Sequence, residues 1–184
     1  MILPIVAYGY PVLRKKAQEI TADYPNLKKL IENMFETMYN AHGVGLAAPQ
    51  VNLSIRLFVV DGSPMDDEET PMADFKKVFI NPVMLSETGK EWAFREGCLS
   101  IPDVREDVFR NPDITIQYFD ENFEQKTETF QGMQARIIQH EYDHLEGILF
   151  TDHISKFRLQ LLKTRLSRIS KGAIDHDYPM KFPK

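Results

Sequence analysis

The chain is 184 residues long, carries a formal net charge of −5, and is 43% apolar and 27% charged. That length suits one domain with a proper core, and the composition is ordinary for a soluble globular protein. A single cysteine, Cys98, excludes an internal disulfide and suits a reducing compartment, and no apolar run approaches the length of a transmembrane helix.

In chain order, residues 1–7 are apolar but short, with no basic residue ahead of them. They read as a first buried segment rather than a signal peptide. Leu27, Leu30, Ile31, Met34, Phe35, Met38 and Tyr39 recur at helical spacing and predict a helix over roughly 26–41. Gly43-Val44-Gly45-Leu46-Ala47-Ala48-Pro49-Gln50 follows. Its Gly-x-Gly lacks the third glycine of a dinucleotide loop and the Gly-Lys-Ser/Thr ending of a P-loop. Strand-like runs are expected at 55–60, 78–85 and 92–94. Between the first two, residues 61–74 hold Pro64, Pro71 and a cluster of acidic side chains, and read as a mobile surface loop. Residues 113–120 and 125–130 alternate around Glu121-Asn122-Phe123, the pattern of a hairpin.

A second helix is expected over about 131–146, where Met133, Ile137, His140 and His144 fall on one face and Gly147 stands at the cap position. Within it lies His140-Glu141-Tyr142-Asp143-His144. Two imidazoles one turn apart can hold one metal ion, with Glu141 beside them to handle a water proton. A catalytic site of this type takes three protein ligands and leaves a position for water or substrate. The metzincin continuation fails, because its last histidine position is Phe150, and no convincing acidic ligand follows soon after. Cys98, in Glu96-Gly97-Cys98-Leu99-Ser100, completes a Cys/His/His set. That mixed set suits iron(II), zinc, cobalt or nickel over magnesium or calcium.

Three segments together, 43–50, 96–100 and 139–147, closely resemble the signature segments of the peptide deformylases, in order and at that family's usual spacing. The resemblance spans about residues 1–155. It implies a metal-dependent hydrolase that removes the N-formyl group from the N-terminal formyl-methionine of newly made proteins, releasing formate. It favours iron(II), with zinc, nickel or cobalt as substitutes. It also implies that Glu141 handles the water proton, while the Leu99 backbone N–H and the Gln50 amide join the metal in stabilising the oxyanion. Val44, Met133 and Ile137 are the implied walls of a methionine pocket, Gly45 and Gly97 would let the peptide backbone approach, and Arg105 matches a position near the substrate.

Residues 156–171 carry six basic and no acidic side chains, and Leu159, Leu162, Leu166 and Ile169 repeat at helical spacing. This predicts an amphipathic helix with its leucines on the body and a basic outer face. The resemblance makes the ribosome a plausible partner for it, and truncation after Thr151 is expected to spare hydrolysis of a small formyl-peptide. No membrane or DNA partner is expected, and the expected compartment is the cytoplasm. The expected fold is α+β: short, mostly antiparallel strands around a central metal-binding helix, with an additional C-terminal helix, all within one catalytic domain. His42 is expected at a helix end. If His153 joined Cys98, His140 and His144, a closed structural site would result, making the chain a metal-stapled peptide-binding domain without turnover. A metallopeptidase, the other alternative, needs a third ligand from beyond His144.

Overall fold

The computed structural model describes residues 1–68 and 71–184. A five-stranded antiparallel sheet organises the chain: β2 (Gly45–Ala47), β3 (Leu57–Asp61), β4 (Lys76–Thr88), β7 (Asp113–Phe119) and β8 (Gln125–Gln131), in that order across the sheet. Alternation along β3 explains why it is buried throughout. Phe58 and Val60 face one apolar cluster, Leu57 and Val59 the other. Successive side chains of a strand point to opposite faces, so this five-residue segment serves two cores at once. On one face packs α1 (Leu27–Asn40), which buries Ile31, Met34 and Met38. On the other packs α2 (Gly132–Leu145), contributing Ala135, Ile137, Ile138 and Leu145.

Beside this sandwich, β5 (Trp92–Cys98) and β6 (Ile101–Arg110) form an antiparallel ribbon, with a register shift between Gly97 and Cys98. The inner face of β6 joins a third apolar cluster with Leu149, Phe150 and the last helix, α3 (Lys156–Ser170). The chain ends meet in a small parallel pair, β1 (Ile5–Val6) with β9 (Met180–Lys181). Neither two-residue strand is long enough to announce itself by alternation.

Most expected elements stand within a few residues, and the α+β class with mostly antiparallel strands holds. Two corrections and one addition have physical causes. Residues 61–74 are more than a surface loop: Met72 and Phe75 are buried in the first cluster, and Asp66 accepts backbone N–H bonds from Met72 (2.5 Å) and Ala73 (2.8 Å). Glu69 and Thr70 of that stretch lie outside the described residues. In α3 only Leu166 and Ile169 are buried, whereas Leu159 is 37% exposed and Phe157 and Leu161 face solvent. Its apolar seam is therefore narrower than the leucine spacing predicts. The addition is the segment after α3, which turns back along the body to pair with β1.

Candidate metal centre

The first turns of α2 carry the apolar residues that seat it on the sheet, and its last two turns carry the ligands. Gly147 ends the helix with φ +74°, and Ile148 N–H closes back to the Asp143 carbonyl at 2.9 Å. A Cβ at Gly147 would lie 2.8 Å from backbone atoms of Arg14, so both the left-handed turn and this close approach call for glycine. One turn before that cap, His140 and His144 project towards the end of β5, where Cys98 sits. One ligating atom from each of Cys98, His140 and His144 lies within 4.8 Å of the others. Cys98 Sγ is 3.4 Å from His144 Nε2.

The donors are set from behind. His140 Nδ1 lies 2.9 Å from a Glu96 carboxylate oxygen, which leaves Nε2 for a metal. Glu96 in turn accepts from Arg110 Nε at 2.7 Å and from an Arg136 terminal nitrogen at 2.7 Å. Arg110 also reaches Asp143 at 2.8 Å. Arg136 lies over the Trp92 ring, 4.3 Å from its centroid. Burial alone would raise the Glu96 carboxyl, yet His140 and Arg110 hold it well below the usual carboxylate range. This buried charge cluster joins β5, β6 and α2, so strand pairing itself fixes where the imidazole points.

The two histidines are pulled opposite ways. Burial, aided by His140, pushes His144 down to about 3. Burial also acts downward on His140, but Cys98 and Glu96 hold it well above the ordinary range. The sulfur of Cys98, one neutral imidazole and a second whose proton a cation would displace form a donor set that fits a transition metal ion. One buried atom beside the set is left unpaired: among the described residues Glu141 Oε2 has no hydrogen-bond partner.

Glu141, 5% exposed, is pushed up to about 7 chiefly by burial. Its place depends on Gly45. A Cβ there would come within 2.7 Å of the Glu141 carboxyl carbon, so β2 leaves room for this carboxylate only because residue 45 has no side chain. Sequence reasoning gave Gly45 a role in peptide approach. The structure gives it this second one.

Gln50, 1% exposed, sits in a short 3₁₀ turn after β2. Its carbonyl oxygen accepts from Ala47 N–H at 2.9 Å. That fixes the amide flip, so Nε2 points at Cys98 Sγ (3.5 Å) and Ser100 Oγ (3.3 Å). Leu99 occupies the turn between β5 and β6, with its side chain over Gly43.

Gln50, Glu96, Cys98, Leu99, His140 and Glu141 border one cleft of about 520 Å³, and His144 is buried outside its lining. Val44, Gly45, Gly97, Arg105, Met133 and Ile137 line it as well, so the expected substrate residues are brought together with the metal set. Arg105 pairs across the ribbon with Gly97 and lies over it, its guanidinium carbon 3.4 Å from where a Cβ would be. Pro64 and Met65 bring the acidic segment to the rim. His42 is exposed, takes the left-handed position after α1 (φ 55°), and also borders the cleft. His153 does not join the set: its Nε2 lies 2.8 Å from Asp143. The closed four-ligand arrangement is therefore not formed, and the residue that stands with the two histidines is Cys98 rather than one from beyond His144. Sequence reasoning missed the contributions of Glu96, Arg110, Arg136 and Asp143. The signal was the position of Glu96 two residues before Cys98.

Residues 2–160 match the sequence model of a family described as polypeptide deformylase. The chain is 62% identical to a peptide deformylase of Christiangramia forsetii, over 100% of this chain and 97% of that protein. It is 61% identical to one from Flavobacterium psychrophilum, covering 98% and 97%. Among solved structures it is similar to a peptide deformylase from Legionella pneumophila, with a TM-score of 0.81, 35% identity and coverage of 94% and 98%. A Plasmodium falciparum peptide deformylase in complex with an inhibitor matches with a TM-score of 0.78 and 34% identity, covering 91% and 99%.

Proposed function

This chain belongs to the polypeptide deformylase family, hydrolases that remove the N-formyl group from nascent peptides, and we propose how its residues divide that work. Cys98, His140 and His144 hold one divalent transition metal, iron(II) by preference, with zinc, nickel or cobalt able to substitute. When bound, such an ion supplies Lewis acidity and lowers the pKa of water towards neutrality. The observation that carries this reading is the convergence of those three donors, two of which, Cys98 and His140, border the same cleft as Glu141 and Gln50.

Glu141 takes the proton of the attacking water. A carboxyl near 7 is matched to that task at neutral pH, and burial is what puts it there. As water adds to the formyl carbon, charge builds on the formyl oxygen. The Gln50 amide N–H and the Leu99 backbone N–H donate to it; each such donor is worth about 2.7–4 kcal/mol of barrier. The C–N bond then breaks, Glu141 returns its proton to the departing amine, and formate leaves. Val44, Met133 and Ile137 receive the methionine side chain. Gly97 lets the peptide run beside β5 as an added strand, and Arg105 sits near its main chain.

The three clusters, which share β1 to β9, support one catalytic domain over 1–184. The family and the absence of any helix long and apolar enough to cross a membrane among the described residues support a cytoplasmic enzyme. The basic face of α3 supports a contact with the ribosome. The test is formate release from formyl-Met-Ala-Ser by anaerobically purified protein, with metal analysis on the same sample. Stoichiometric formate with one transition metal per chain is the expected result. Metal-replete protein that releases none would refute the reading.

A further inference from the structure

We propose that Tyr178 is a positioning residue for deformylation: from the C-terminal segment it clamps the Leu99 carbonyl and so fixes the turn whose amide faces the oxyanion. Its hydroxyl donates to Leu99 O at 2.7 Å, across 79 residues of sequence. The inference rests on the role given above to the Leu99 N–H.

The turn needs such a clamp. Pairing between β5 and β6 shifts register at Gly97/Cys98, and the ladder resumes only as Cys98 opposite Ile101. Leu99 and Ser100 therefore lie outside it. Three contacts from elsewhere hold them: Tyr8 N–H to the Ser100 carbonyl at 2.8 Å, Gln50 to Ser100 Oγ at 3.3 Å, and Tyr178 to Leu99. The Leu99 carbonyl and N–H are separated by one residue's pair of soft torsions, so pinning the first narrows the range of the second.

Tyr178 is held well enough to serve. After α3 the chain turns at Gly172 (φ +68°) and runs along the cleft, which Asp175 to Tyr178 line. Pro179 and Lys181 then accept backbone bonds from Ile5 (2.9 Å) and Ala7 (2.8 Å). Thus β1 holds the tail at Ile5 and Ala7, and its continuation holds the turn at Tyr8. The tail and the ligand loop share one backbone rail. One consequence revises the expectation for truncation after Thr151: it would remove this clamp and would not spare hydrolysis of a small peptide.

The bland alternative is that Tyr178 only packs the tail against the second apolar cluster, of which its ring is part. Tyr178→Phe separates the two, because it keeps the ring and deletes the hydroxyl. In full-length, metal-replete protein, Y178F is expected to lower kcat about tenfold, the scale of one neutral hydrogen bond, with KM within twofold. Backbone exchange in the segment 97–104 should quicken by a similar factor, while exchange in β1 and β9 and the melting temperature stay near wild type. Wild-type kcat or wild-type exchange in 97–104 would overturn the clamp. So would faster exchange spread evenly over β1, β9 and the turn, which is what loosening of the tail alone produces. Glu141→Gln, assayed in parallel, separates this failure from failure of the functional reading: an active E141Q sinks the site assignment, whereas an inactive E141Q beside an unaffected Y178F sinks only the clamp.

Discussion

The helices α2 and α3 differ by one residue in length, 14 against 15, yet α2 buries eight residues and α3 two. Among the eight are Arg136, Glu141 and His144, each with a charge or a proton to place. The charges of α3 stay at the surface; even Arg158, which reaches Glu106 at 2.7 Å, is half-exposed. Its large apolar residues Phe157 and Leu161 are exposed too. Exposed ion pairs contribute little, while a buried charge is tolerated only when its partners are in place. Function has been written into the helix that can enforce geometry, and the permissive helix carries charge without fixing it.

The largest expected effect is at Glu141. Glu141→Ala should keep its metal and its fold but lose at least about a thousandfold in kcat, the scale of general acid–base catalysis. A rate near wild type at neutral pH, without added base, would erase the contrast between the helices. Chelation should likewise abolish turnover while circular dichroism stays near native, because three apolar clusters hold the fold without an ion. Next comes Gln50→Ala, expected to lower kcat by roughly a hundredfold or more at unchanged metal content. Steady-state kinetics with metal analysis checks it.

Glu96→Gln tests the support behind the helix. It should weaken metal affinity about 10–100-fold and, by leaving Arg136 without its carboxylate partner and Arg110 with Asp143 alone, cost about 3–5 kcal/mol of stability. Competition with a chelator reads the first and denaturant unfolding the second. In α3 the matching pair of changes should diverge. Leu166→Ala, at a buried position, should cost about 2–5 kcal/mol. Phe157→Ser, at an exposed one, should stay within about 0.5 kcal/mol of wild type, with hydrolysis unchanged. Equal effects would mean that α3 is covered by something in solution.

These differences also explain what could be read in the sequence. The closeness of His140 and His144 was legible because helical spacing turns a short motif into a geometric statement, and that of Cys98 because no other thiol competes. The hairpin of β7 and β8 was legible from alternation around a polar turn. By contrast β6 was missed. Its buried set is Ile101, Val104, Glu106, Val108 and Arg110, so two of five inward positions are charged and hydropathy shows no alternation. Glu106 meets its partner Arg158 on α3, and Arg110 meets Glu96 on β5 and Asp143 on α2, so those charges are made tolerable from three different elements. Glu96 was quoted as part of a motif, yet its task is visible only once Arg110, Arg136 and His140 surround it. Residues 61–74 misled through composition, because buried Met72, with Phe75 just beyond the stretch, anchors an otherwise acidic run.

The pairing of Ile5 with Met180 carries a last consequence, for the order in which the molecule is built. A contact between residues so far apart cannot form until nearly the whole of this stretch has been synthesised, and closing so large a loop is entropically costly and slow. The sheet and α2 can settle beforehand, since the contacts between them fall within residues 45–145, and α1 and Ala17, which also pack there, precede them in the chain. A newly made chain should therefore pass through a compact stage with its ligands assembled but its rail open, maturing to full competence only when the last strand docks.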